Sequence, residues 1–151
     1  MGICSVEIVP FHAAMQEDAE SLIIDGLTER WGVDDPAMNS DIRNIAISYS
    51  KDSFYVALAD GAVVGTGAII IESTHIGRIV RMSVARHVRN RGIGKVMLRH
   101  LEQVGYNLGY KSIVLETTET WTDAIDFYKS QGYSISGHSN GDAHFEKYIA
   151  I

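Results

Sequence analysis

Cysteine, proline and long apolar runs are all scarce in this sequence, which has one Cys and two Pro among 151 residues. The single Cys4 cannot pair within the chain, so a disulfide scaffold and a cysteine-based zinc cluster are excluded. Apolar runs such as Ala68–Ile71 are far too short to span a bilayer, and Met1–Val9 lacks the basic and apolar regions of an export signal. We therefore expect a cytoplasmic protein without membrane contacts.

The composition is that of one globular domain. Hydrophobic residues make up 46% of the chain and charged residues 21%, which excludes a disordered or collagen-like chain. A chain of this length buries roughly two thirds of its unfolded surface, so it needs no metal or disulfide to fold. Because no repeat, low-complexity tract or linker interrupts it, we expect residues 1–151 to form a single domain.

Positive charge is concentrated in one segment of an otherwise acidic chain. The net charge is −6, yet residues 78–101 contain more than half of the 13 Lys and Arg and no Asp or Glu. This segment has no aromatic residues of the kind that stack on single-stranded nucleic acid, so we expect no nucleic-acid partner. The asymmetry favours an anionic ligand bound at one place, and the alternative is a solvated basic helix face.

Apolar periodicity predicts the element order β-α-α-β-β-β-α-β-α-β-β. The dipeptide Asp60-Gly61 is typical of a type I′ turn, so the strands on either side of it are expected to form an antiparallel hairpin. Hairpins early in the chain and strand–helix alternation later predict an α/β (α+β) fold. The expected fold is a mixed, mostly antiparallel sheet of about seven strands flanked by four helices.

A glycine-rich basic loop lies where a predicted strand, ending near Val84, is followed by a predicted helix. Gly92 and Gly94 allow successive backbone N–H groups to converge, and the helix directs its positive end at the same point. A P-loop is excluded because Arg89 and Val96 stand where it requires Gly and Ser or Thr. A dinucleotide fingerprint is excluded because it would need Gly at Met97. The loop therefore predicts a different kind of phosphate site.

The pattern Arg89-x-x-Gly92-x-Gly94 resembles the acyl-CoA loop of the GNAT family of N-acetyltransferases. A second motif lies downstream at the family's spacing, namely Leu115-Glu116-Thr117 followed by the segment 124–133 with its Phe-Tyr pair and Gly-aromatic ending. Residues 54–133 carry the resemblance, whereas residues 1–53 match only in element order.

This resemblance implies a role for each part of the donor site. Backbone groups of the strand edge would pair with pantetheine and hold the thioester carbonyl, and the loop would hold the pyrophosphate. Tyr128 would contact the cofactor and protonate the departing CoA thiolate, whereas Phe127 is expected to be a packing residue. The alternative is that Tyr128 also belongs only to the buried stripe of its helix. The implied strand residues are Met82, Ser83 and Val84, and the implied loop residues are Arg89, Asn90, Arg91, Gly92, Ile93, Gly94 and Lys95.

The acceptor side departs from the family's pattern. Many members have Glu or His on strand four, where this chain has Arg78 and Val80, so the resemblance implies Glu116 as the base, acting directly or through water. The alternative is that Glu116 is a solvated or salt-bridged strand residue. If the strand alternates regularly, Arg78 shares a face with Val80 and Met82 and would hold an anionic group of the acceptor. The alternative is that Arg78 pairs with Glu72 or Glu116. Trp121 replaces the Asn that usually contacts the cofactor.

By this resemblance the chain would be an acetyl-CoA-dependent N-acetyltransferase that transfers acetyl directly, in a ternary complex, to a primary amine of a small molecule or peptide. The alternative function is a non-catalytic acyl-CoA sensor with the same fold. His75, His87 and His100 are not spaced as ligands, so no metal is expected. Cys4 is a poor nucleophile, since it has no matched base. The sequence leaves open whether the chain forms a homodimer.

Overall fold

The computed structural model describes residues 6–32, 39–49 and 53–149, so Cys4 and Pro36 lie outside the described residues. The element order matches the predicted one, with added 3-10 turns at Ala13–Met15, Ser40–Asn44 and Arg86–Val88. The strands are β1 (Glu7–Pro10), β2 (Phe54–Ala59), β3 (Ala62–Ser73), β4 (Ile76–Val84), β5 (Ser112–Thr118), β6 (Ser134–Ser139) and β7 (Asp142–Tyr148). The helices are α1 (Gln16–Trp31), α2 (Ile45–Ser48), α3 (Ile93–Asn107) and α4 (Thr122–Ser130).

The strands form one seven-stranded sheet in the order β1-β2-β3-β4-β5-β7-β6. The β4–β5 pair is parallel, and the pairs β1–β2, β2–β3, β5–β7 and β6–β7 are antiparallel. The expected mixed, mostly antiparallel sheet with four helices is thereby confirmed. Among the described residues, no helix is both long and apolar enough to cross a membrane.

Two hairpin turns have the backbone of a type I′ turn. Asp60 and Gly61, between β2 and β3, have φ of 52° and 82°, which confirms the predicted turn. Asn140 and Gly141, between β6 and β7, have φ of 52° and 81°. Each pair combines a small polar residue that tolerates positive φ with a glycine that adopts it freely.

The chain divides into two compact units, and the first consists of Met1–Ala68 with Arg81–His100. Its largest buried side chains include Ile42, Ile45, Phe54 and Met97. The side-chain amide of Gln16 donates to the Ile42 carbonyl at 2.8 Å and accepts from the Ile45 N–H at 2.9 Å. These two hydrogen bonds therefore connect the start of α1 to the start of α2.

The second unit consists of Ile69–Val80 with Leu101–Ile151. Its buried side chains include Leu101, Ile113, Leu115 and Phe145. Gly77 of β4 lies against a ring, because a Cβ at that position would come within 2.6 Å of Cδ2 of Tyr110. That close approach explains why a strand that is otherwise rich in large residues has glycine there.

Candidate active site

The basic loop between β4 and α3 has the backbone of an anion site. Asn90 and Gly92 have φ of 65° and 84°, so the chain turns sharply before α3 begins at Ile93. The Ile93 side chain is buried and anchors the turn, and the Val96 N–H already donates to the Gly92 carbonyl at 3.0 Å. Arg91 and Lys95 are exposed beside the helix N-terminus. The loop therefore presents backbone donors and positive charge to solvent together.

An acidic side chain of α1 holds two arginines of this region. Glu29 accepts from Nη1 of Arg89 at 2.5 Å and from Nε of Arg86 at 2.5 Å. The hydrogen bond from Arg89 is the largest factor that lowers the Glu29 pKa, and Arg86 adds to it. Arg89 also donates from Nε to the Val84 carbonyl at 3.3 Å. The contacts with Glu29 and Val84 thus orient the guanidinium of Arg89 along the loop.

Strand β4 has an irregular backbone at Arg81, which has a φ of 57°. Its guanidinium forms a two-pronged ion pair with Asp41, with Nε–Oδ2 and Nη2–Oδ1 distances of 2.9 and 2.6 Å. The Thr66 hydroxyl donates to the Arg81 carbonyl at 2.8 Å. Burial favours a raised Asp41 pKa, but the hydrogen bonds from Arg81 and Tyr49 outweigh it and lower the pKa. Contacts of both the side chain and the backbone carbonyl of Arg81 therefore stabilise this irregular backbone.

The irregular backbone at Arg81 corrects one expectation. The prediction that Arg78, Val80 and Met82 share a face requires regular alternation along β4, and that alternation ends at Arg81. An arginine with positive φ has no sequence signature, which is why the pattern suggested an uninterrupted strand. Only Arg78 and Val80 keep the predicted relationship.

The strand edge implied in cofactor binding follows directly after this irregularity. Met82, Ser83 and Val84 are half-buried. The β4–β5 ladder covers Ile76–Arg78 with Ser112–Val114 and leaves these three residues outside it. A Cβ on Gly26 would lie 3.2 Å from the Ser83 hydroxyl, and one on Gly65 would lie 3.3 Å from the Ser83 carbonyl. Glycines thus allow α1 and β3 to approach this edge closely.

In the second unit, a row of polar side chains crosses four strands. Arg78 of β4 donates from Nε to Glu72 of β3 at 2.8 Å, and its Nη1 lies 3.5 Å from Oε1 of Glu116 on β5. The other Glu116 oxygen lies 3.4 Å from Nδ1 of His144 on β7. The hydrogen bond that Arg78 donates to Glu72 lowers the Glu72 pKa and raises the Arg78 pKa. The structure therefore pairs Arg78 with both acids named in the alternative reading.

Two members of this row, Arg78 and His144, line a cavity of ≈ 320 Å³. His144 contacts Ser139 at its hairpin end, with Nε2 2.8 Å from the Ser139 hydroxyl. Among the described residues, no three His, Cys, Asp or Glu side chains are grouped so that they could hold a metal ion. The cavity is lined by Arg78, Val114, Leu115, Ser136, Gly137, His138, Ser139, His144 and Phe145.

Tyr128 of α4 is buried among aromatic rings. Its ring centroid lies 5.9 Å from that of Tyr133 and 5.8 Å from that of Phe145. Burial raises the Tyr128 pKa to about 12, so its hydroxyl keeps its proton at neutral pH. Phe127, the expected packing residue, is only half-buried, although its ring contacts that of Tyr128 at 5.1 Å. Trp121, at the N-cap of α4, is half-buried as well.

The structure brings the predicted site residues together only in part, since Arg78 contacts Glu116 whereas Tyr128 lies among the rings of Tyr133 and Phe145. The loop Arg89–Lys95 and the edge Met82–Val84 belong to the first unit, and Arg78, Glu116 and Tyr128 belong to the second. Sequence analysis missed His144 because its proximity to Glu116 depends on the β5–β7 register, in which the two residues are direct partners. The alternation of β7, with buried Ala143 and Phe145 on either side of half-buried His144, is the signal that could have placed it on the Glu116 face.

Comparison with known proteins identifies relatives across most of the chain. The sequence model described as the Acetyltransferase (GNAT) family matches residues 16–133. The probable N-acetyltransferase family 8 member 5 of Mus musculus is 33% identical over 107 residues, covering 66% of this chain and 47% of that protein. N-acetylaspartate synthetase of Rattus norvegicus is 32% identical over 108 residues, covering 69% of this chain and 36% of that protein. The chain spans about half the length of the first curated relatives it matches.

The fold has counterparts among solved structures. The PaiA N-acetyltransferase of Thermoplasma acidophilum, crystallised in complex with coenzyme A, superposes with a TM-score of 0.80 at 18% identity, covering 95% of this chain and 99% of that one. At this identity the likeness concerns the fold alone. Together with the sequence match over 16–133 and the loop that precedes α3, it leads to one conclusion. The chain belongs to the GNAT family of acetyltransferases.

Proposed function

We propose that this protein is an acetyl-CoA-dependent N-acetyltransferase, with residues 1–151 acting as a single catalytic domain. The observation that carries the proposal is the loop Arg89–Lys95, whose left-handed Asn90 and Gly92 lead into the N-terminus of α3 in a chain of this family. Backbone donors and the helix dipole at such a terminus favour a pyrophosphate. Arg91 and Lys95 add formal charge beside it.

The donor side holds the thioester through backbone groups of β4. The pantetheine arm carries two amides, which pair with the edge Met82–Val84 as an added strand would. An N–H from Ser83 or Val84 polarises the acetyl carbonyl as its oxygen gains charge, an interaction typically worth roughly 3 kcal/mol. The Arg81–Asp41 ion pair supports this role, because it holds the backbone at the residue before that edge.

Transfer is direct, without a covalent enzyme intermediate. The acceptor nitrogen attacks the acetyl carbonyl carbon, the bond from that carbon to the CoA sulfur breaks, and the hydroxyl of Tyr128 gives its proton to the thiolate. A buried phenol whose pKa is raised to about 12 is present as the proton donor throughout the physiological range. Glu116 accepts the proton that the acceptor ammonium must lose, directly or through water.

The acceptor carries both an amine and an anionic group. The Arg78 side chain is 23% exposed and borders the cavity. Its guanidinium can bind a carboxylate with two parallel hydrogen bonds. An incoming carboxylate would replace the long contact of Arg78 with Glu116, at 3.5 Å, more readily than its 2.8 Å contact with Glu72. The relationship to N-acetylaspartate synthetase, whose named product derives from an amino acid with two carboxylates, supports this class of acceptor.

Turnover of acetyl-CoA with a panel of amines tests the proposal. We expect CoA release with amino dicarboxylates and acidic peptides, and slower release with neutral amines of similar size. Arg78→Ala should raise KM for anionic acceptors much more than for neutral ones, and Arg99→Ala, an exposed cation of α3, should change neither. An equal effect of Arg78→Ala on both classes would remove its assigned role.

The same assay separates an enzyme from an acyl-CoA sensor. Both would bind CoA and be stabilised by it, by about 2.7 kcal/mol at a hundredfold excess over Kd. Only the enzyme would release CoA when an amine is added. CoA binding without turnover of any amine would therefore favour the sensor, and absence of CoA binding would overturn both.

A further inference from the structure

We propose that His144 is a positioning and proton-relay residue, which takes from Glu116 the proton released by the acceptor amine and passes it towards solvent at the β6–β7 hairpin. The inference rests on the proposed function, because it concerns the fate of a proton that only an amine acceptor would supply. It assigns a role to a side chain that neither the family motifs nor the loop chemistry singles out.

The placement of His144 follows from strand register. Glu116 and His144 are direct partners in the antiparallel β5–β7 pair, so their side chains point to the same face of the sheet. Nδ1 lies 3.4 Å from Oε2 of Glu116, and Nε2 lies 2.8 Å from the Ser139 hydroxyl. The imidazole therefore connects the carboxylate to the hairpin end, with one ring nitrogen directed at each.

An irregularity in β6 lies beside the end of the His144 imidazole that faces the hairpin. The β6–β7 register shifts between Ile135 and Gly137, and the Ser136 hydroxyl donates to the His144 carbonyl at 3.3 Å. Bulges of this kind re-aim side chains and are common next to functional sites. Ser136, Ser139 and His144 all line the ≈ 320 Å³ cavity, so the imidazole is open to solvent on one side and to the carboxylate on the other.

The proton transfer balances without any further reactant. Where Nε2–H donates to Ser139, Nδ1 presents a lone pair to Glu116. The acceptor ammonium gives a proton to Oε2 of Glu116, which passes it to Nδ1, and the resulting imidazolium releases its Nε2 proton to water beside Ser139. Proton exchange with water then returns the neutral imidazole to the Nε2–H tautomer. A proton left on Glu116 would weaken the attraction between its carboxylate and Arg78, so its removal restores that ion pair.

Several charged or titratable groups surround the imidazole. Glu116 faces it from β5, and Arg78 of β4 lies on the far side of that carboxylate. From β6, His138 borders the same cavity. On β7 itself, Asp142 and Glu146 are two residues away on either side and share its face. An imidazole can accept a proton at one ring nitrogen and release one from the other, which a relay between Glu116 and solvent requires.

The test compares the pH dependence of acetyl transfer in His144→Asn and His144→Gln with that of the wild type. The asparagine amide retains a donor near the Nδ1 position and the glutamine amide near the Nε2 position, but neither amide accepts a proton. At pH 6.5, where an acceptor amine is protonated, we expect both variants to lose about tenfold or more in kcat. Near the pKa of the amine, where free base is abundant, the loss should shrink to about threefold or less.

The matched control is His75→Asn, which removes an exposed imidazole between β3 and β4, outside the cavity lining, and should leave the rate within about twofold at every pH. Loss of the same factor at all pH values in both His144 variants would indicate a purely structural role and overturn the inference. Wild-type rates in either His144 variant would also overturn the inference. Thermal unfolding and CoA affinity, expected to match the wild type, confirm that each variant folds.

The outcome is distinguishable from failure of the proposed function. If the wild type releases no CoA with any amine, the acetyltransferase proposal fails. If the wild type turns over and His144→Asn and His144→Gln follow its pH profile, only the role of His144 fails.

Discussion

Tyr128 combines a polar hydroxyl with burial, since only 9% of the residue is exposed. The hydroxyl sits in a group of aromatic rings, where burial disfavours the phenolate and raises the pKa to about 12. A group that stays protonated is suited to give a proton to a thiolate and unsuited to accept one from an ammonium. Tyr128 is therefore suited to protonate the thiolate of CoA as it leaves.

We predict that Tyr128→Phe lowers kcat by about 10²-fold or more while CoA affinity changes little, because a proton donor is lost and almost no contact area. The measurement is steady-state turnover together with calorimetric titration of CoA. Tyr133→Phe is the control, since it belongs to the same ring group but its hydroxyl donates to Glu102 at 2.8 Å. That variant should lose about 1 kcal/mol of stability and keep its rate. If Tyr128→Phe turned over at the parent rate, thiolate protonation would have another source.

At the scale of single elements, the loop before α3 depends on one backbone conformation. Gly92 has a φ of 84°, and nothing lies within 4 Å of the position a Cβ would occupy. A β-branched residue there would suffer backbone strain, not a clash, and its side chain would stand in open space in front of the helix N-terminus. The cost to folding and the cost to ligand binding can therefore be separated.

We predict that Gly92→Val abolishes the stabilisation by CoA and lowers the intrinsic stability by about 1–3 kcal/mol. Gly109→Val is the matched control, because Gly109 has a φ of 91° and equally open surroundings at the end of α3. Thermal unfolding with and without CoA should show a similar intrinsic loss in both variants. Only Gly109→Val should keep the CoA-dependent shift, and unchanged CoA affinity in Gly92→Val would remove the loop from the cofactor site.

Element order was predictable because it depends on local patterns. The type I′ turn at Asp60-Gly61, the helix ending before Gly109 and the strand Ile76–Val84 all follow from residues near one another in sequence. The predicted order has two helices between the first two strands, and in the structure the second of them is a 3-10 turn from Ser40 followed by the short α2. Competing side-chain contacts explain this difference, since Asn44 accepts from the Ile47 N–H and caps a new helix there.

Site geometry was less predictable because it depends on register and on tertiary contacts. Glu116 could be named from its motif, but its neighbours Arg78 and His144 come from two other strands. The positive φ of Arg81 is stabilised by Asp41, which is 40 residues away in sequence. No local pattern contains such information.

At the scale of the whole molecule, several carboxylates are stabilised in their ionised form by arginines. The hydrogen bonds from Arg89 and Arg78 are the main factors that lower the pKa values of Glu29 and Glu72. For Asp41, burial acts in the opposite direction, but contacts with Arg81 and Tyr49 prevail and lower the pKa. A carboxyl group whose pKa is lower in the folded than in the unfolded state adds stability above its unfolded pKa. That contribution is lost as the pH falls through the folded value.

We therefore predict that stability is retained from neutral pH down to about pH 5 and then falls steadily as these carboxylates are protonated. Asp41→Asn should lower the free energy of unfolding at pH 7 and flatten its decline between about pH 5 and pH 3. Denaturant unfolding across this range is the measurement, and Glu17→Gln, an exposed side chain of α1, is the control. An unchanged pH dependence in Asp41→Asn would show that its pair with Arg81 makes no difference to folding.

Strand β7 is the last strand along the chain but lies between β5 and β6 in the sheet. It pairs with β5 over Asp142–Tyr148 and with β6 over much of the same length, whereas β5 and β6 are not neighbours. During synthesis on the ribosome, β6 therefore emerges before the only strand with which it pairs in the described sheet. Until β7 follows, both β5 and β6 expose an unpaired edge, which is the kind of surface that chaperones shield and that aggregation exploits.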